Sequence, residues 1–235
     1  MNAKKKWLKF DLHMHTFRSD GWSSTRRMLT TAKRRGLDVV AITDHNILSE
    51  LSTKEALDKY GIYTIPGIEL SFLRGHLVVL MKSYKKADKI LKKWKLKKGQ
   101  TAGKHRKKNI KKILRDFIDE GALVIAAHPK IPTGTMSLRG TFLAKLYEEG
   151  LVHGAEIHND DLSIKFRSRL YGVWHRRAKK AVESLGIPAY SHSDAHFWWR
   201  IGRRFNMVEL DDPSKLLEEL KKGLIKIEHG TRSDL

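Results

Sequence analysis

Short apolar runs alternate with stretches of helical periodicity along almost the whole chain, and this rhythm limits the available folds more than any other property of the sequence. Trp7 to Leu12 reads as a first strand, Thr25 to Arg35 as a helix ended by Gly36, and Leu37 to Thr43 (LDVVAIT) as a strand rich in β-branched residues. Thr53 to Tyr60 reads as a helix before Gly61, Ile62 to Glu69 as a strand, and His76 to Met81 as a shorter one. Two amphipathic helices follow, carried by Ala87, Ile90, Leu91 and Trp94 and then by Ile110, Ile113, Leu114, Phe117 and Ile118. Strands at Ala122 to Ala127, Ala155 to Ile157 and Ile187 to Tyr190 are separated by helices at Phe142 to Glu149 and about Lys165 to Leu185. Strands near Phe205 to Leu210 and Ile225 to Glu228 flank a last helix at Pro213 to Lys222. This pattern predicts an α/β fold with a mostly parallel sheet, closed into a barrel or open and doubly wound, and periodicity does not choose between them. With no internal repeat or linker, residues 1–235 are expected to form one domain.

In either architecture active sites collect at the carboxyl ends of strands, and polar residues recur there in this chain. His13 and His15 end the first strand at i and i+2, so an extended backbone projects both imidazoles to one side. Asp20 follows in the loop, Asp44 and His45 follow LDVVAIT, Glu69 ends YTIPGIE, His128 follows ALVIAA, and Asp194 and His196 follow IPAY. His76 alone precedes its apolar run. The chain has no cysteine, so a metal would be held by histidine and carboxylate, a donor set suited to zinc, manganese or iron. The candidates exceed what one ion needs, which predicts a multinuclear site with a bridging carboxylate.

In chain order the segments DLHMHT, SDG, ITDHN, GIE, AAHP and SDAH resemble the PHP family, named for polymerase and histidinol phosphatase domains, over Asp11 to His196. The resemblance implies a distorted (β/α)7 barrel, two or three divalent ions, and hydrolysis of phosphate esters. It implies a first ion on His13, His15, Asp194 and Glu69, a second on Glu69, His76 and His128, and a third on Asp20, His45 and His196. The chemistry expected of such a cluster is in-line attack on phosphorus by hydroxide held between ions, with Asp194 or His196 moving the leaving-group proton. Asp44 is expected to support His45 from behind. The chain departs from the family pattern at His158, where tyrosine is frequent, and at His192, where glycine is frequent. Each is a candidate buried donor, substrate-phosphate contact or tolerated surface residue. Arg18 and Lys130 lead the candidates for gripping phosphate, ahead of Arg139, Arg167 and Arg200.

The chain carries 47 Lys+Arg against 26 Asp+Glu, a net charge of +21. Lys82 to Lys112 alone holds 15 Lys+Arg and one acid, Asp88, and so supplies 15 − 1 = +14. Such a field attracts polyanions, although a Lys-rich solvated surface gives the same count. Within it Lys97 to Lys108 reads as an exposed loop. No apolar stretch is long enough to span a bilayer, and no apolar signal core follows the first lysines, so a cytoplasmic protein is expected. The leading expectation is a metal-dependent phosphoesterase acting on nucleotides or short nucleic acids. A histidinol-phosphate-type phosphatase and a non-catalytic, metal-stabilised nucleic-acid-binding module are the alternatives.

Overall fold

The computed structural model describes residues 7–72, 75–96, 110–129, 140–159, 170–223 and 225–235. Ten strands among these residues form two five-stranded sheets. The first has the order β10-β9-β1-β2-β3, where β1 is Trp7–Asp11, β2 Val39–Val40, β3 Tyr63–Thr64, β9 Arg204–Glu209 and β10 Glu228–Thr231. The second runs β4-β5-β6-β7-β8, with β4 Gly67–Phe72, β5 Gly75–Leu80, β6 Leu123–Ala126, β7 Gly154–Asn159 and β8 Ala189–His192. The helices are α1 Thr25–Arg34, α2 Thr53–Tyr60, α3 Tyr84–Lys93, α4 Ile110–Asp119, α5 Gly140–Glu148, α6 Leu170–Ser184 and α7 Leu216–Lys222.

The expected mostly parallel sheet is not what the strand ladders form, and among the described residues they do not close into the expected distorted (β/α)7 barrel. Four of the eight strand pairings are antiparallel. Two reversed strands, β5 and β9, account for all four. Both follow connections too short for a parallel crossover, which takes a dozen or more residues and usually a helix. Only two residues separate Phe72 from Gly75, and between His192 and Arg204 the one helical element is a 3-10 turn at Trp198–Arg200. The run Ile62 to Glu69, expected as one strand, is split at Ile65-Pro66, where proline removes a ladder donor. Its first half therefore stays beside β2 and its second half enters the other sheet. Isolated bridges at Met14–Ala195 and His45–Glu69 join the two sheets at the carboxyl ends of β1 and β2.

Period-two alternation explains why β5 and β6 read as continuous apolar runs. Leu77, Val79, Val124 and Ala126 belong to a core shared with α3, α4 and α5, while Val78, Leu80, Leu123 and Ile125 face a second core with Leu8, Phe10, Tyr190 and α7. A third core packs Met28, Leu29 and Ala56 of α1 and α2 on Met14, Val40 and Phe205. Helix starts are set by Ser24, Ser52 and Ser83, whose side chains accept backbone N–H groups of the first turn; Ser52 and Glu55 complete a capping box. No helix among the described residues is long and apolar enough to cross a membrane.

Candidate metal centre

With β5 reversed, its amino end lies beside the carboxyl ends of its neighbours: His76 pairs with Ser71 across the β4–β5 ladder. That is why His76 precedes its apolar run and still reaches the same place as the histidines that follow theirs. The structure brings all nine candidate ligands into one cluster around Glu69, which is 1% exposed. Glu69 Oε1 lies 3.4 Å from His13 Nε2, 3.1 Å from His76 Nδ1 and 3.3 Å from His128 Nε2. Its Oε2 lies 3.2 Å from His15 Nε2 and 3.0 Å from His45 Nδ1. Asp194 Oδ1 sits 3.3 Å from His13 Nε2 and 3.1 Å from His15 Nε2, and Asp20 Oδ2 sits 3.3 Å from both His45 Nε2 and His196 Nε2. Four overlapping triads with metal-ligand spacing follow: His13, His15 and Glu69; His15, Asp194 and His196; His15, Asp20 and His45; His45, Glu69 and His76.

These separations suit shared cations. Ligand atoms about 2.1 Å from one ion stand roughly 3.0 to 3.4 Å apart along octahedral or tetrahedral edges. Glu69 Oε1 and Asp194 Oδ1 are buried with no hydrogen-bond partner although imidazole nitrogens surround them, so lone pairs converge where donors would be expected. The tautomers agree. His13 Nδ1 donates to Glu156 Oε1 at 2.7 Å and His196 Nδ1 donates to the Asp194 carbonyl at 3.0 Å, which leaves each Nε2 lone pair turned inward. Burial opposes charge here, yet the facing imidazoles hold Glu69 and Asp194 well below the usual carboxylate range, and His196 and His45 do the same to Asp20. Reciprocally, Asp194 and Glu156 outweigh burial and raise His13 well above its usual value, so Nε2 holds a proton that a bound cation would displace. The pocket is electrostatically set to hold positive charge.

Backbone conformation contributes as well. His128 and Asp194 sit at φ 29° and 46°, uncommon values for residues with side chains and a form of strain that collects at functional sites. Gly21 of the SDG segment packs so closely that a Cβ there would meet the His15 carbonyl oxygen at 2.5 Å. Only glycine lets the loop carrying Asp20 lie against the end of β1.

Several sequence expectations are altered. Asp44 does not bind His45. Its carboxylate accepts from Thr16 N at 2.7 Å, Thr16 Oγ1 at 2.6 Å and Ser19 Oγ at 2.6 Å, because the loop after β1 folds back over it. It thus fixes the loop that carries Asp20, while Ser71 Oγ meets His45 Nδ1 at 2.8 Å. His192 is fully buried, which rules against substrate contact; its Nδ1 donates to Glu156 Oε1 at 3.0 Å and its ring stacks on Tyr190. His158 lies beside His175 and His229, and burial together with the charge of His175 pushes it down to about 4. Arg18 Nη1 donates to the Leu48 carbonyl at 3.0 Å, which occupies part of its fork, and Arg200 is buried. Lys130, Arg139, Arg167 and the Lys97 to Lys108 loop lie outside the described residues. In the described part of the basic segment Lys82, Lys86, Lys92, Lys93 and Lys111 all pair with carboxylates, which reduces the free charge.

Sequence reasoning missed Glu156 and Asn159. Glu156 Oε2 accepts from His128 N at 2.8 Å and Asn159 Nδ2 at 2.9 Å, and Asn159 also donates to Asp194 Oδ2 at 3.0 Å. The available signal was a carboxylate inside the apolar strand GAEIHN. Glu156→Gln is expected to leave the fold intact and to weaken metal affinity by about 10- to 100-fold, since one amide oxygen can accept from His13 and His192 or from His128 N and Asn159 but not from both pairs. Titration of the purified variant with zinc or manganese against wild type measures this. Sequence reasoning also missed an aromatic group beside the cluster, made by Trp22, Phe197 and Trp199, although DGW and HFWW adjoin two of the metal motifs.

The fold and this donor set define an α/β protein with a metal-ligand cluster at the ends of its strands. Residues 11–153 match the PHP domain and residues 172–225 the PHP-associated region, so the chain belongs to the PHP family, whose members are metal-dependent phosphoesterases. An uncharacterised protein of Methanocaldococcus jannaschii is 30% identical over 137 residues, 53% of this chain and 70% of that protein. A two-domain protein from Bacteroides vulgatus containing a predicted PHP-like metal-dependent phosphoesterase superposes with a TM-score of 0.66 at 20% identity, over 95% of this chain and 65% of that one. A lesion-specific endonuclease from Pyrococcus furiosus gives 0.63 at 21% identity, over 94% and 58%. The chain thus spans less than two thirds of either structure, and these likenesses show the fold.

Proposed function

We propose that this protein hydrolyses phosphate esters of nucleotides or short nucleic acids with about three divalent ions, zinc, manganese or iron, in one cluster. The observation that carries the reading is the convergence of five imidazoles on the two oxygens of buried Glu69. His13, His15, Asp194 and Glu69 would hold one ion, Glu69 with His76 and His128 a second, and Asp20, His45 and His196 a third. When bound, such ions cancel phosphate charge and lower the pKa of coordinated water.

The chain's own groups set the geometry. Glu156 locks the His13 tautomer and anchors the His128 backbone, and Asp44 and Gly21 fix the loop that brings Asp20 to the cluster. Asp194 and His196, the two candidates for moving a leaving-group proton, are also ligand candidates; His196 Nε2 faces Asp20 and its Nδ1 donates to the Asp194 carbonyl, so ligation competes with that role. The net charge of +21 favours an anionic substrate, and no membrane-length apolar helix stands among the described residues, in keeping with a cytoplasmic enzyme acting as one unit.

A panel of nucleoside bisphosphates, oligonucleotides and histidinol phosphate, run with manganese or zinc and with chelator, tests the reading. Metal-dependent release from a nucleotide or oligonucleotide is expected. Release from histidinol phosphate alone would reassign the protein to small-molecule phosphatases, and tight oligonucleotide binding without turnover under any metal would make it a binding module.

A further inference from the structure

Beside the cluster the chain exposes a group of aromatic rings that none of the metal chemistry uses. Trp22 is 77% exposed, Phe17 56% and Trp199 42%. Large exposed aromatic groups are unfavourable in water and mark contact surfaces when they gather. Two of them gather around a further ring: Trp22 and Phe197 stack with centroids 6.1 Å apart at 12°, and Phe197 and Trp199 stack at 4.5 Å and 23°. Trp198 is spent differently, packed on the third core with the Arg27 guanidinium over its ring at 4.2 Å.

The rings are tied to the ligand-bearing segments. Trp22 lies two residues after Asp20 and Phe197 directly after His196. Trp22 N donates to the His196 carbonyl at 2.7 Å, Phe17 N to the Ser23 carbonyl at 3.0 Å, and Trp198 N to Ser23 Oγ at 3.1 Å. The two loops that complete the Asp20, His45 and His196 group are therefore laced together, and the aromatic rings form their outer surface.

We propose that Trp22, Phe197 and Trp199 form a stacking shelf for a nucleobase whose attached phosphate lies at the metal cluster. The inference rests on the phosphoesterase reading above and narrows its substrate class. Near-parallel rings select a flat ligand, the neighbouring cluster selects a phosphate, and the chain's net charge of +21 favours a polyanion. A nucleobase joined to phosphate satisfies all three, and aromatic stacking accepts any base without reading its sequence. A single strand offers such a base unpaired, whereas a duplex keeps its bases stacked inside, so single strands and free nucleotides are the fitting sources.

The test uses the whole chain of residues 1–235. Turnover is compared on oligo(dT) and a strand of equal length made only of abasic units, and on thymidine 3′,5′-bisphosphate and its base-free analogue. Wild type is expected to prefer the base-bearing member of a pair. That preference should fall about tenfold in Trp22→Ala and in Trp199→Ala, while Trp22→Phe keeps most of it. Preference confined to the strand pair identifies single-stranded nucleic acid as the source, and preference in both pairs includes free nucleotides. A second readout needs no turnover: in chelator, a single strand containing 2-aminopurine should lose fluorescence on binding wild type and lose less on binding Trp22→Ala. Equal turnover of base-bearing and abasic substrates, with no 2-aminopurine quenching, would overturn the shelf while leaving the phosphoesterase intact. Quenching without turnover of any phosphate ester would overturn the phosphoesterase reading and keep the shelf as a binding surface.

Discussion

Glu69→Gln is expected to cut bound-metal content and to lower phosphate ester turnover by at least about a hundredfold, the upper end of what losing even an outer-shell partner costs. The change exchanges one oxygen for an amide nitrogen at nearly constant volume, so the apolar packing around a residue 1% exposed is undisturbed. Chemically it is severe. Each Glu69 oxygen faces two or more imidazole nitrogens within 3.4 Å, and an amide offers one acceptor where the cluster needs two and introduces a donor among lone pairs. Metal analysis of the purified variant, beside its kcat/KM, measures the effect. A variant that keeps full metal and full turnover would remove Glu69 from the centre.

The double change His13→Ala, His15→Ala is expected to abolish turnover. Both imidazoles are fully buried, each contacts Glu69 and Asp194, and together they lie in three of the four triads with metal-ligand spacing. Alanine removes the nitrogens that Glu69 and Asp194 share, leaving Glu69 to His45, His76 and His128 and Asp194 to His196, so the two carboxylates no longer belong to one ligand set. The three apolar cores contain neither histidine, and the protein should remain folded by circular dichroism. Undiminished turnover in a folded double variant would contradict the site.

Most of the candidate site was legible because its residues lie at strand ends, where local apolar patterning marks position in the fold. His13, His15, His45, Glu69 and His128 each follow a readable strand. His76 was legible as a histidine and anomalous in place; the anomaly reports that β5 runs backwards, a consequence of the two-residue connection at Phe72 to Gly75. Sheet closure was not legible. Whether ladders run on around a barrel depends on register and on breaks such as Pro66, and neither is carried by hydrophobic periodicity. Strand length was overread at LDVVAIT, where only Val39–Val40 enters a ladder, because residues past the sheet rim stay buried while turning toward the cluster.

The partners of the ligands were the least visible. Asp44 adjoins His45 in sequence, and adjacency suggested contact, yet its carboxylate is held by Thr16 and Ser19 from a distant loop. Glu156 and His192 meet only through the pairing of β7 with β8, a contact 36 residues apart. Their role is tertiary, and no spacing rule discloses it. The basic segment shows the converse: five of its nine described lysines pair with acids such as Glu120, Asp116 and Glu149, which a charge count does not disclose.

The central claim is that the cluster holds the ions on which hydrolysis depends. The most direct measurement is metal analysis of the purified chain, followed by chelation and graded return of zinc or manganese, with phosphate ester turnover read at each stage. The account predicts about three ions per chain when saturated, turnover lost on chelation, and recovery that tracks bound metal. Turnover that survives complete removal of metal, or a saturated chain that hydrolyses no phosphate ester, would contradict it.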